Sequence, residues 1–95
     1  MPFVYMLRCS DGTLYTGWTT DPAKRLEAHS RGTGSRYTRS RRPLEMVYLE
    51  ACETRELAMS REWHLKRLSR SEKEKLVSAC PKTGIPVFQD KEEKS

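Results

Sequence analysis

The chain opens with two short runs of apolar and aromatic residues and then changes period. Residues 3–9 and 13–18 are enriched in Phe, Val, Tyr, Leu and Trp, and Ser10-Asp11-Gly12 separates them. That pattern predicts two strands joined by a tight turn. A three-residue loop fits best: a type I turn closed by Gly12 in the left-handed region. With Cys9 paired to Thr13, Tyr5 faces Gly17, Leu7 faces Tyr15, and Tyr5 and Tyr15 share one sheet face diagonally. A two-residue Asp-Gly loop would shift the register by one and send the tyrosines to opposite faces.

Asp21-Pro22 reads as an N-cap followed by proline at the first helical position, opening a helix from about Pro22 to Ser30 that ends at Gly32. Arg25 and His29, four apart, lie on one face of it, and Leu26 points to a neighbouring face that anchors it to the sheet. Residues 31–43 form an arginine-rich loop punctuated by Gly32, Gly34 and Pro43, long for so small a domain. Leu44–Glu50 is a third strand. Thr54 caps a second helix running to about Leu68, and a third spans Ser71–Ala79, with Ser69/Glu72 and Ser71/Glu74 both matching a capping box. After Pro81 the chain turns polar. The expectation is one domain over residues 1–80 and a loosely held polar tail over 81–95, ending in the charged run Asp90–Ser95. The order β-β-α-β-α-α predicts an α+β fold, a three-stranded, mainly antiparallel sheet flanked by helices.

Composition sharpens this picture mainly through charge. The net charge is +5, yet residues 24–42 hold Lys24, Arg25, Arg31, Arg36, Arg39, Arg41 and Arg42 against Glu27 alone, so the remainder is close to neutral. A basic stripe is the footprint expected for a polyanion such as nucleic acid; the plainer alternative is a solvated basic surface. The three cysteines, Cys9, Cys52 and Cys80, are odd in number and widely spaced, which argues for reduced thiols rather than a disulfide scaffold or zinc knuckle. The longest apolar run, Phe3–Leu7, is too short to span a bilayer, and no signal segment is visible; a cytoplasmic protein is the expectation.

Candidate chemistry is ambiguous residue by residue. At ~100° per residue, Leu57, Ala58, Leu65 and Leu68 cluster on one side of the second helix, with Arg61 inside that stripe and Glu62 at its edge. Glu62 is placed either to hold a metal at the rim of the core or to pair with Lys66 at i+4. Arg25 with His29 has the form of a solvated basic pair, and strands bury tyrosines routinely. Trp18 is read as core packing rather than a base-stacking platform.

Together these residues resemble the GIY-YIG nuclease superfamily. Phe3-Val4-Tyr5 stands for the first motif and Tyr15-Thr16-Gly17 for the second, followed by Arg25-x-x-x-His29, Ser35-Arg36-Tyr37-Thr38 and Arg61-Glu62-Trp63, over roughly residues 3–68. Phe3 and Val4 replace the Gly-Ile of the name, and Thr16 replaces the Ile of the second motif. The chain is most similar to the small stand-alone bacterial UPF0213 type, and also to the nuclease domain of the Slx1 structure-selective endonucleases.

The resemblance implies a metal-dependent endonuclease acting on DNA, including structured or branched DNA. It implies that Glu62 holds one Mg2+ or Mn2+ and that Arg25 stabilises charge on the phosphate. Tyr5, Tyr15 and His29 are candidates for the general base, and Tyr37 matches a further tyrosine near the site. A free tyrosine has a pKa near ~10 and needs a positive field to act as a base at neutral pH. Gly17 keeps space for Tyr5 or for the DNA backbone. Lys24, Arg36, Arg39, Arg41 and Arg42 read as phosphate contacts. With no second nucleic-acid-binding module in sight, a protein partner that supplies specificity is expected. The competing expectation is a catalytically weak nucleic-acid-binding module on the same scaffold, which would need the arginines but not Glu62. A protein-interaction domain with a basic loop is the third.

Overall fold

The computed structural model describes residues 1–89; the charged terminus Asp90–Ser95 lies outside the described residues. Strands β1 (Phe3–Arg8), β2 (Leu14–Thr19) and β3 (Glu45–Ala51) form one antiparallel sheet in the order β2-β1-β3. Helices α1 (Pro22–Ser30), α3 (Arg55–Lys66) and α4 (Arg70–Ala79) flank it, and a single helical turn, α2 (Arg36–Arg39), lies between α1 and β3. The fold is α+β, with the expected order of main elements. The sequence pattern did not reveal α2, because Ser35 caps it by accepting from the Thr38 amide and it has no apolar period of its own.

The hairpin adopts the three-residue loop. Cys9 donates its amide to the Thr13 carbonyl at 2.9 Å, Gly12 has φ +86°, and Tyr5 pairs with Gly17 and Leu7 with Tyr15. Since β1 is central, both its faces are covered and its alternation sorts the core in two. Val4 and Met6 join Val47, Tyr48, Ala58, Leu65 and Val77 under α3 and α4. Tyr5 and Leu7 join Leu26 and Met46 beneath α1. Edge strand β2 thus borders both halves.

The caps appear where the sequence places them. Asp21 accepts from the Lys24 amide, Thr54 from that of Leu57, and Ser69 with Glu72 completes a capping box. Of the two capping-box candidates, Ser69/Glu72 forms. Glu74 instead meets Arg8 of β1 in a two-pronged pair at 2.7 and 2.8 Å, tying α4 to the sheet. One expectation is corrected: Leu57 is 52% exposed, not part of the buried stripe. Helix α3 rests mainly on β1 and β2, with Ala58 and Leu65 wholly buried, and Leu57, a full ~100° round from Ala58, points past that stripe. Trp18 is partly buried against the first cluster, in keeping with a packing role. Of the tail, residues 81–89 run without regular structure, yet Ile85 and Phe88 pack on the Tyr5–Leu26 cluster and Lys82 donates to the Val47 and Val77 carbonyls. Among the described residues no helix is long and apolar enough to cross a membrane.

Candidate active site

The second half of the core contains a polar inclusion. Tyr5 is 1% exposed and His29 wholly buried, and the phenol oxygen lies 2.9 Å from His29 Nε2. His29 Nδ1 lies 2.8 Å from Thr38 Oγ1, a fully buried hydroxyl that also lies 3.3 Å from the Ser35 carbonyl. Arg25 donates Nε to the Tyr5 oxygen at 3.4 Å and a terminal nitrogen to the Gly34 carbonyl at 3.3 Å. The tautomer decides the directions: with Nδ1 protonated, the ring donates to Thr38 Oγ1 and Nε2 accepts the Tyr5 O–H; with Nε2 protonated, the ring donates to the phenol oxygen and Nδ1 accepts the Thr38 O–H.

Two glycines make room for this cluster. A methyl group on Gly17 would stand 2.5 Å from the Tyr5 oxygen and 2.7 Å from its Cζ, so only glycine lets the phenol lie across the neighbouring strand. A methyl on Gly34 would run into His29 Nδ1 and Cγ. The first constraint was legible once the hairpin register was set, because Gly17 lies opposite Tyr5. The second was not: Gly34 reads as loop punctuation, and its proximity to His29 arises only when the loop folds over α1.

Ring contacts extend the cluster outward. Tyr15, more open than Tyr5, lies 5.2 Å from the His29 ring and stacks at 5.8 Å on Tyr37, itself 38% exposed. The Arg41 guanidinium covers the other side of Tyr37 at 3.8 Å. Tyr37 donates its hydroxyl to Thr13 Oγ1 at 2.9 Å, and Arg41 pairs with Asp11 at 3.1 Å, so the hairpin turn and the basic loop are clasped together. Asp11, Thr13 and Gly34 are participants that the sequence reading left as ordinary turn or loop residues, and Thr38 stood in the matched Ser35–Thr38 segment without a role of its own.

The electrostatics follow from burial. Desolvation, helped by the Arg25 charge, pushes the His29 pKa down to about 4, so the ring is neutral at pH 7. Burial also raises the Tyr5 phenol above its ordinary value; the Arg25 hydrogen bond and charge oppose that, and Tyr15 and Glu62 add to it. The Glu62 charge is the smallest of these influences on the phenol. The Glu62 side chain is 22% exposed and 3.4 Å from Lys66. Among the described residues no group of three His, Cys, Asp or Glu side chains converges.

The candidate phosphate contacts separate into two kinds. Arg36, Arg39 and Lys24 are exposed. Arg41 is engaged with Asp11 and the Tyr37 carbonyl, and Arg42 donates to the carbonyls of Arg39 and Ser30. Tyr5, Tyr15, Arg25, His29, Gly17 and Tyr37 thus form one continuous cluster, with Glu62 outside it on α3.

Comparison with known families decides what this arrangement belongs to. The GIY-YIG catalytic domain matches residues 1–75. The chain belongs to the GIY-YIG family. It is 47% identical over 79 residues to a UPF0213 protein of Clostridium perfringens, covering 83% of this chain and 85% of that one. It is 52% identical over 87 residues to a UPF0213 protein of Desulfotalea psychrophila, covering 90% and 79%. Among solved structures, the solution NMR structure of a UPF0213 protein from Bacillus halodurans superposes with a TM-score of 0.53 at 47% identity, covering 82% and 84% of the two chains. The GIY-YIG name denotes a nuclease superfamily, so nucleic acid is the substrate class that membership supports. In this domain the two motif tyrosines and the motif glycine, Tyr5, Tyr15 and Gly17, meet at one corner of the sheet.

Proposed function

We propose that this protein is an endonuclease that hydrolyses DNA phosphodiester bonds with one divalent metal ion, including at structured or branched DNA. The observation that carries this reading is the Tyr5–His29–Arg25 hydrogen-bonded cluster, with a carboxylate, Glu62, whose charge reaches the phenol. Burying a tyrosine and a histidine beside a half-buried arginine costs stability that an apolar core would not. Such groups are kept where chemistry uses them.

Tyr5, Tyr15 and His29 are the candidates for taking a proton from an attacking water, and the Tyr5 phenol lies in hydrogen bond with His29 Nε2 at 2.9 Å. Thr38 fixes the orientation of the His29 ring through its contact with Nδ1. Arg25 steadies the phenol oxygen as charge develops there, and its remaining donors face phosphate. Tyr15 and Tyr37 line the outer side, with Tyr15 the more open of the two motif phenols. Glu62 would hold a metal of the magnesium kind: a carboxylate partly open to solvent, in no group of three His, Cys, Asp or Glu side chains among the described residues, suits an ion that keeps most of its water. Such an ion would, when bound, stabilise the scissile phosphate and the leaving oxygen. Exposed Lys24 of α1 and Arg36 and Arg39 of the loop are the phosphate contacts, while Arg41 and Arg42 first shape the loop.

The test is a cleavage panel of single-stranded, duplex, flap and junction DNA in magnesium and in manganese. Nicking by the wild-type protein and its loss in Glu62→Ala and Arg25→Ala is the expected result. Wild-type protein that leaves every substrate intact across both metals would sink the enzyme reading and leave the binding module. Cleavage by Glu62→Ala at the wild-type rate would remove the metal assignment alone.

A further inference from the structure

Helix α3 presents a second surface that neither the core nor the tyrosine cluster uses. With Ala58 and Leu65 pointing at the sheet, a spacing of about 100° per residue sets Glu62, Arg55, Lys66, Met59 and Trp63 in that order around one flank. This flank borders the edge strand, since the Arg55 guanidinium lies 5.6 Å over the Trp18 ring of β2. Met59 and Trp63, one turn apart, are 51% and 52% exposed. One turn further on, Arg67 lays its guanidinium 3.5 Å over the Trp63 ring, and His64 meets that ring edge-on at 5.1 Å.

The chemistry of this ledge is specific. An indole topped by a guanidinium is a flat, cationic, apolar step, and nucleobases stack on both aromatic rings and arginine planes. Lys66, Arg67 and Arg55 supply the positive charge that the attached phosphates require. A protein partner fits less well. Leu57, the other exposed large apolar residue of the helix, lies on the opposite flank, so the apolar surface amounts to two side chains, far short of a stable protein interface of roughly 800 Å² per partner.

We propose that Trp63 and Arg67 receive an unpaired nucleobase of the substrate strand beside Glu62, so that the protein selects DNA carrying an unstacked nucleotide over continuous duplex. A paired base has both faces occupied by its neighbours and cannot use the ledge; a bulged, flapped or single-stranded base can. The proposal rests on the nuclease reading for its substrate, and on the exposed ring for its selectivity.

The experiment measures binding, in EDTA so that no cleavage intervenes, of labelled duplexes carrying a one-nucleotide thymidine bulge or an abasic bulge at the same place. For the wild-type protein, replacing the thymidine by the abasic linker is expected to weaken binding about ten-fold. Trp63→Ala should bind the thymidine bulge about ten-fold more weakly and show no further loss on the abasic one, while Trp63→Phe keeps most of the discrimination. Quenching of tryptophan emission by the thymidine bulge in Trp18→Phe, where Trp63 is the one indole left, is the second readout. Equal binding of both bulges by the wild-type protein would overturn the ledge and leave the nuclease reading standing. Failure to bind any of the duplexes would overturn both. A change of oligomeric state in Trp63→Ala, with discrimination intact, would make the ledge a protein contact instead.

Discussion

The two faces of this sheet are built from alternate residues of the same strand and solve opposite problems. Under α3 and α4, Val4 and Met6 of β1 meet Ala58, Leu65 and Val77 in an apolar core, with the ion pairs Arg8–Glu74 and Arg61–Glu50 at its margin. Under α1, Tyr5 meets Leu26 but also His29 and Arg25, and the polar groups of this cluster hydrogen-bond to one another, whereas the buried Ser30 hydroxyl at the end of the helix has no partner among the described residues. The first face spends its residues on stability. The second accepts the cost of a neutral buried imidazole and a desolvated phenol, and it tolerates them because hydrogen bonds run from Tyr5 through His29 and Thr38 to the Ser35 carbonyl. Even the first face has one blemish: Thr16, standing where the family motif has Ile, is 3% exposed and its hydroxyl finds no partner among the described residues.

The sharpest way to break this contrast is a matched pair of substitutions. Arg25→Ala should lower the nicking rate by roughly 100- to 1,000-fold, the usual consequence of losing one preorganised donor to developing charge. Leu65→Ala, wholly buried on the other face, should cost about 2–5 kcal/mol in urea unfolding yet leave the specific activity of the folded fraction unchanged. Should the two effects exchange places, the division of labour between the faces is wrong.

Acid should find the polar face first. His29 is neutral in the folded protein with its pKa lowered to about 4, whereas in the unfolded chain it titrates near the ordinary 6.5. Its contribution is therefore present above pH 6.5 and lost as pH falls from there to about 4, because only the unfolded chain takes up the proton. The full loss is roughly 3 kcal/mol. Glu74, held down to about 2 by Arg8 and Arg70, loses its contribution in a lower window, from about 4.5 to 2. A pH series of urea midpoints on His29→Gln should lack the upper slope and keep the lower one.

Thr16→Val addresses the blemish. Replacing an unpaired buried hydroxyl by a methyl of the same shape should raise stability by about 1 kcal/mol, with no change in nicking. A loss of stability would mean that the hydroxyl has a partner after all. Smallest of all is Arg39→Ala. It removes one exposed cation, and the slope of log binding constant against log salt should become shallower by about one, uniformly across DNA sequences. Arg41→Ala should behave differently. Arg41 is tied to Asp11 and covers Tyr37, so its loss disturbs the clasp as well as the charge.

Much of this was legible from the chain. The hairpin loop chose the register, and the register put Tyr5 opposite Gly17 and on the face shared with Tyr15. Arg25 and His29 followed from helical spacing, and the caps Asp21, Thr54 and Ser69 from residue type. Leu57 was misread, since amphipathic spacing shows which side chains align but not how wide a face the sheet will cover. Glu74 was read as half of a local capping box and proved to be the partner of Arg8, sixty-six residues away.

The sequence by itself determined the main elements, their order and the hairpin register, because each depends on neighbours within a turn or a strand pair. Only the tertiary structure decided that His29 is buried and neutral, that Thr38 lies against its Nδ1, and that Gly34 must be small. Those facts depend on how α1 and the basic loop close on one another. Desolvation and contact between elements distant in the chain leave no local pattern to read.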